Sequence, residues 1–83
     1  MKINVRYRGH LAEITGKSEE TLDASSVKDV LKHIGKNFGS EAGKSAKSMI
    51  IAVNGCSILR LNIFKTTLNE GDEVAFLPIC GGG

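Results

Sequence analysis

The segment Val74-Ala75-Phe76-Leu77-Pro78-Ile79 is apolar at every position. Successive side chains of a strand point to opposite faces, so a strand of this composition needs cover on both sides and belongs in the interior of a sheet. It is introduced by Asn69-Glu70-Gly71-Asp72, a turn in which Gly71 supplies a positive φ. It is followed by Gly81-Gly82-Gly83. The rest of the chain must therefore provide strands on either side and a helix to cover a face. Its 83 residues make one domain, and a chain this short buries only about 60% of its unfolded surface.

Those elements are legible. Ile3, Val5 and Tyr7 alternate with Lys2, Asn4, Arg6 and Arg8, giving a strand with one apolar face that Gly9 ends. His10–Thr15 reads as a short helical turn stopped by Gly16. Lys17–Ala24 reads as a polar second strand anchored by Leu22, its Glu19 and Glu20 suited to a solvated edge. Ser26, with Asp29 three residues on, opens the main helix in the manner of a capping box. Val27, Val30, Leu31, Ile34 and Phe38 form one apolar stripe along it, with Lys28, Lys32 and Lys36 off the stripe and Gly39 as its stop. Ser40–Ser48 reads as a flexible loop carrying Lys44 and Lys47. Met49–Val53 is a strand, Asn54-Gly55 a hairpin turn and Cys56–Leu59 the return strand. Arg60–Lys65 reads as an irregular or short helical crossover.

The order β, β, α, β, β, β, with one helix burying its stripe against one sheet face, is that of an α+β, β-grasp (ubiquitin-like) domain. The expected sheet is mixed, of four to five strands, with one main helix and with the first and last strands adjacent in its middle. Residues 1–80 are expected to form this domain and 81–83 a flexible tail. Val74 and Phe76 then pack under the helix, while Ala75, Leu77 and Ile79 face the other way. An uncovered apolar patch on a small protein marks a partner interface; the competing reading is that Arg60–Lys65 folds over it.

Three consecutive glycines are a loss as structure, since each has maximal backbone freedom and nothing to pack. As a substrate they make sense. Extended, Gly81–Gly83 reach roughly 10 Å beyond the domain, and without Cβ atoms they can thread a narrow channel. The α-carboxylate delivered this way is a poor electrophile, because attack adds negative charge to an anion. Adenylation by ATP converts it to a mixed anhydride. A persulfide would then lead to a thiocarboxylate, and a thiolate to a thioester.

This chain has no evident means of doing that chemistry itself. Gly43-Lys44-Ser45 superficially matches the end of a phosphate loop, but Phe38 stands where the earlier glycine is required, and a helix rather than a strand precedes it. No paired carboxylates and no nucleophile with a base point to catalysis. No cofactor is expected to be bound here; ATP is used by a partner activating enzyme. His10 and His33 are isolated in sequence, and Cys56 and Cys80 are too few for a zinc site, so no metal is expected. Cys56 reads as a small, partly buried core residue and Cys80 as a small residue tolerated in the tail. The net charge is +2 with both signs interspersed, and only three Phe and one Tyr are available for stacking, which argues against nucleic acid as a partner. No apolar run is long enough to span a membrane and no signal peptide opens the chain, so a cytoplasmic protein is expected.

The stretch from Leu68 to Gly82, with its Gly71-Asp72-Glu73-Val74 turn and strand, Pro78 and terminal glycines, resembles the C-terminal signature of the small subunit of molybdopterin synthase. It is similar also to related ubiquitin-like sulfur carriers, including the archaeal small modifier proteins. Glu13–Lys17 and Met49–Asn54 add to a resemblance that covers essentially the whole chain. It implies a β-grasp fold, and adenylation of Gly83 (or Gly82 if trimmed) by an enzyme of the ubiquitin-activating type. It further implies conversion to a thiocarboxylate and sulfur donation to the molybdopterin synthase large subunit or another acceptor. In the modifier branch the activated glycine is instead joined to lysines of target proteins; the remaining alternative is a β-grasp interaction module without tail chemistry.

Overall fold

The computed structural model describes residues 1–58 and 66–78. Strand β1 (Lys2–Tyr7) is followed by helix α1 (His10–Thr15), strand β2 (Glu19–Asp23), helices α2 (Val27–Phe38) and α3 (Ser40–Ser48), and strands β3 (Ile50–Val53), β4 (Cys56–Ser57) and β5 (Glu73–Leu77). The five strands form one sheet in the order β2-β1-β5-β3-β4. β1 and β5 are parallel neighbours, with Val5 opposite Val74 and Tyr7 opposite Phe76. β2 pairs antiparallel with β1, and β3 antiparallel with both β5 and β4. The first and last strands thus lie side by side in the interior, as the composition of β5 requires, and β2 takes an edge.

The apolar set of β1 faces the helices. Ile3, Val5, Tyr7, Val74 and Phe76 are buried against the α2 stripe of Val27, Val30, Leu31 and Ile34. Tyr7 stacks on Phe76, with ring centroids 6.4 Å apart, and meets Phe38 edge-on at 6.1 Å. Ser26 caps α2 as expected, its Oγ accepting from the Asp29 amide at 3.2 Å. The return contact goes one residue further out than a capping box would place it: the Asp29 carboxylate accepts from the amide and hydroxyl of Ser25. Residues 66–68 run beside this helix start, the Val27 amide donating to Thr66 and the Leu68 amide to Ser25.

The segment Ser40–Ser48 is a helix, not a loop. Its buried residues are Ala42, Gly43 and Ala46, too small to register as an apolar stripe yet small enough to let α3 approach α2 closely. A Cβ on Gly43 would stand 3.5 Å from the Gly35 Cα. Only Gly39, at φ 97°, separates the two helices. Cys56 is exposed rather than partly buried, on a two-residue strand at the edge of the sheet. The crossover read at Arg60–Lys65, and Leu59 of the return strand, lie outside the described residues.

Candidate functional site

The placement of β5 determines where the tail leaves the body. Two turns hold its start. The Asp72 carboxylate accepts from the Asn69 amide at 2.8 Å and from Asn54 Nδ2 at 3.0 Å, while Asn54 Oδ1 accepts from the Glu73 amide at 2.9 Å. The Asn69 contact first, then the Asn54 one, holds the Asp72 carboxyl below its ordinary range. From there β5 runs parallel to β1, and both end on the same side of the sheet. Pro78, which has no amide hydrogen to continue the ladder, comes next and is exposed. It lies against Gly9, whose backbone (φ 60°, ψ −135°) only glycine adopts readily, and where a Cβ would sit 3.5 Å from the proline ring. The sequence reading of Gly9 as a strand terminator missed this second role. The residues that follow Pro78, namely Ile79, Cys80 and the glycines Gly81, Gly82 and Gly83, lie outside the described residues.

The face of the sheet opposite the helices carries the expected patch in part. Val74 and Phe76 are fully buried, so alternation turns Ala75 and Leu77 outward, where both are half-buried. The register adds one exposed residue that sequence reasoning missed, Ile50; Ala52 faces the same way but is buried. Ala75 stands opposite Ala52, and Leu77 opposite Ile50, whose side of β3 is open enough to leave it 41% exposed. The signal was present, since antiparallel pairing of two alternating strands must bring their outward sets together. On the β1 side the patch is bordered by the ion pair of Arg6 Nε with Glu73 at 2.9 Å. Leu77 immediately precedes Pro78, so the patch runs up to the root of the tail.

Glu20 departs from its expected place on a solvated edge. Its register with Val5 puts it on the same face as Leu22, turned toward the helices. There it accepts the Tyr7 hydroxyl, meets Lys17 Nζ at 2.9 Å and lies 3.3 Å from His33 Nε2. Burial works to raise the Glu20 pKa, but the hydrogen bonds from Tyr7 and Lys17, with the nearby positive charges, leave it lowered. The same burial, then the bond to Glu20, pushes the Tyr7 hydroxyl far above its usual value. This cluster fastens the edge strand over the core. His33, isolated in sequence, is a member of it, and His10 lies 3.5 Å from both Glu13 and Glu41. Among the described residues, no three His, Cys, Asp or Glu side chains gather as metal ligands would, and no helix is long and apolar enough to cross a membrane.

A five-stranded mixed sheet with its first and last strands central and its helices on one face is the ubiquitin-like β-grasp, here with the last strand leading directly to a glycine end. The chain belongs to the ThiS family, whose profile matches residues 5–83, the terminal glycines included. Among solved structures it is similar to the small archaeal modifier protein 1 from Methanosarcina acetivorans, at 27% identity over 99% of this chain and 96% of that one, with a TM-score of 0.82. Its fold is also that of a chain in the protein–protein complex of subunits 1 and 2 of molybdopterin-converting factor from Helicobacter pylori (22% identity, all of both chains, TM-score 0.74). Urm1 from Trypanosoma brucei shares it too (20% identity, 98% of this chain and 95% of that one, TM-score 0.68). A comparison with curated proteins finds no match.

Proposed function

We propose that this protein is a ubiquitin-like sulfur carrier whose terminal carboxylate, on Gly83 or on Gly82 after trimming, is adenylated and converted to a thiocarboxylate by a partner activating enzyme. The observation that carries the reading is the match to the ThiS family through residue 83, on a fold whose central strand ends at an exposed Pro78. In the partner, a carboxylate oxygen attacks the α-phosphorus of ATP and pyrophosphate leaves. A persulfide sulfur then attacks the acyl carbon, and AMP leaves. Cleavage of the resulting S–S bond by a thiol leaves the thiocarboxylate, with sulfur ready for transfer in molybdopterin synthesis or a related pathway. The carrier presents the tail and docks through Ala75, Leu77 and Ile79, joined by Ile50. It is a substrate of the activating enzyme rather than an enzyme itself, and it works in the cytoplasm.

Intact mass of protein taken from its native host tests this. A fraction of molecules with one oxygen replaced by sulfur is expected, and loss of that fraction on deleting Gly82 and Gly83. Leu77→Glu should abolish binding to the activating enzyme with the fold unchanged; unaltered binding would remove the sheet face from the interface. The likeness to an archaeal modifier protein favours a second reading, in which the activated glycine is joined to target lysines. That activity would show as a ladder of larger conjugates requiring the same two glycines.

A further inference from the structure

The helices pack on the inner face of the sheet, so a groove that opens on them points away from the apolar patch of Ala75, Leu77 and Ile50. Such a groove, of about 640 Å³, lies between α2 and α3. Its floor is a narrow seam of Leu31, which is 6% exposed, Gly35 and the buried Gly43, with Ser40 at one end. Its rims are lysines. Lys28, Lys32 and Lys36 stand one turn apart along α2, a ladder about 12 Å long, and Lys44 and Lys47 face them from α3. Five of the chain's 11 basic residues line this one feature and none of its nine acidic residues does. The small net charge therefore conceals a molecule with a positive pole. Of the carboxylates on the same helices, Asp29 accepts from Ser25 and also feels the charge of Lys32, and Glu41 lies near His10.

Two features say what the groove takes. The charge calls for an acidic ligand. The floor calls for an apolar one, and Gly35 keeps that floor open: a Cβ there would meet nothing within 4 Å, so packing does not demand glycine, although glycine is costly inside a helix. Nucleic acid fits poorly. No arginine lines the groove to fork a phosphate, no ring offers a stacking platform, and a phosphate backbone gains nothing from an apolar floor. An amphipathic helix with an apolar stripe and acidic flanks satisfies both features at once, in the helix-in-groove mode.

We propose that the α2–α3 groove is a second docking site, which takes an acidic amphipathic helix of a partner protein with its apolar stripe on Leu31, Gly35 and Gly43 and its carboxylates on the lysine rims. The site is independent of the tail chemistry, so a partner could hold the carrier by its helices while the glycine end is engaged elsewhere.

The test is NMR titration of the full ¹⁵N-labelled chain with a synthetic peptide of about 25 residues, beyond the length at which isolated helices are marginal in water, bearing a leucine stripe and glutamate flanks, its helicity checked by circular dichroism. Its amide shifts are expected in α2 and α3 around the groove, with β3 and β5 unmoved. The variant K32E/K36E/K44E should bind about tenfold more weakly or worse, as three exposed charge reversals would produce. Gly35→Leu should fill the floor and abolish binding, while the unmoved sheet resonances show that the fold persists. Absence of shifts, equal binding of the same peptide with glutamine in place of glutamate, unchanged binding by Gly35→Leu, or tighter binding of a single-stranded RNA oligonucleotide at the same salt would each overturn the proposal.

Discussion

Tyr7 commits its hydroxyl to a carboxylate beneath a helix, and three further side chains organise around that one bond. Tyr7→Phe keeps the ring packing on Phe76 but leaves Glu20 with only Lys17 and His33. The expected cost is about 1–2 kcal/mol, since a hydrogen bond to a charged group is lost from a site that water can only partly reach. Urea denaturation measures the cost, and a carboxyl NMR titration should show the Glu20 pKa rising in the variant. Acid stability is set by similar residues. The Asp29 carboxyl is held low by the Ser25 hydroxyl and amide, and Asp72 by Asn69 and Asn54. A depressed folded-state pKa contributes stability that is complete above the unfolded value of 3.8 and is lost as pH falls through the folded one. The urea midpoint should therefore hold steady down to about pH 5 and fall below about pH 4, with a smaller acid-dependent loss in Asp72→Asn. The inward turn of Glu20 was readable in principle, because it stands two residues from Leu22 and must share its face. Its charge, on a strand with one apolar anchor, favoured the solvent reading instead.

Local turn chemistry was the most legible part of the elements. Asn54-Gly55 takes positive φ at both residues, 52° and 86°, the geometry that a two-residue hairpin requires. What the dipeptide alone did not show is that the Asn54 side chain also clamps the start of β5. Asn54→Ala loses both the tolerance of positive φ and these bonds, and thermal unfolding should register a loss of about 1–2 kcal/mol. Helix α3 was illegible for a physical reason. Periodicity is detected through large apolar side chains, and α3 packs with Ala42, Gly43 and Ala46, whose value lies in how near they let two backbones come. Its two neighbouring glycines should respond oppositely. Gly35→Ala adds a methyl into open space and should stabilise by about 0.5–1 kcal/mol through helix propensity. Gly43→Leu drives a branched side chain toward the α2 backbone and should lower the melting temperature.

For the molecule as a whole, the sheet order followed from one strand's composition. β5 is apolar on both faces: Val74 and Phe76 enter the core from its central position, while Ala75 and Leu77 join Ile50 on the outer face. The glycine end and the outward Ala75 and Leu77 were legible for the same reason, being local to that strand. Ile50 and the lysine groove were not, since each needs elements brought together across a turn or a sheet. The groove in particular depends on Gly39 folding α3 back beside α2. Because β5 supplies Val74 and Phe76 to the core and separates β1 from β3, a chain ended after Asp72 should fail to fold, with no dispersed amide spectrum and no cooperative melt. The parallel β1–β5 pair joins the two most distant strands in the chain, and such contacts form late. During translation, then, everything up to Asp72 waits without its keystone. A ribosome that stalls short of Phe76 releases a polypeptide whose apolar segments have no core to enter, which makes it a target for proteases and for aggregation.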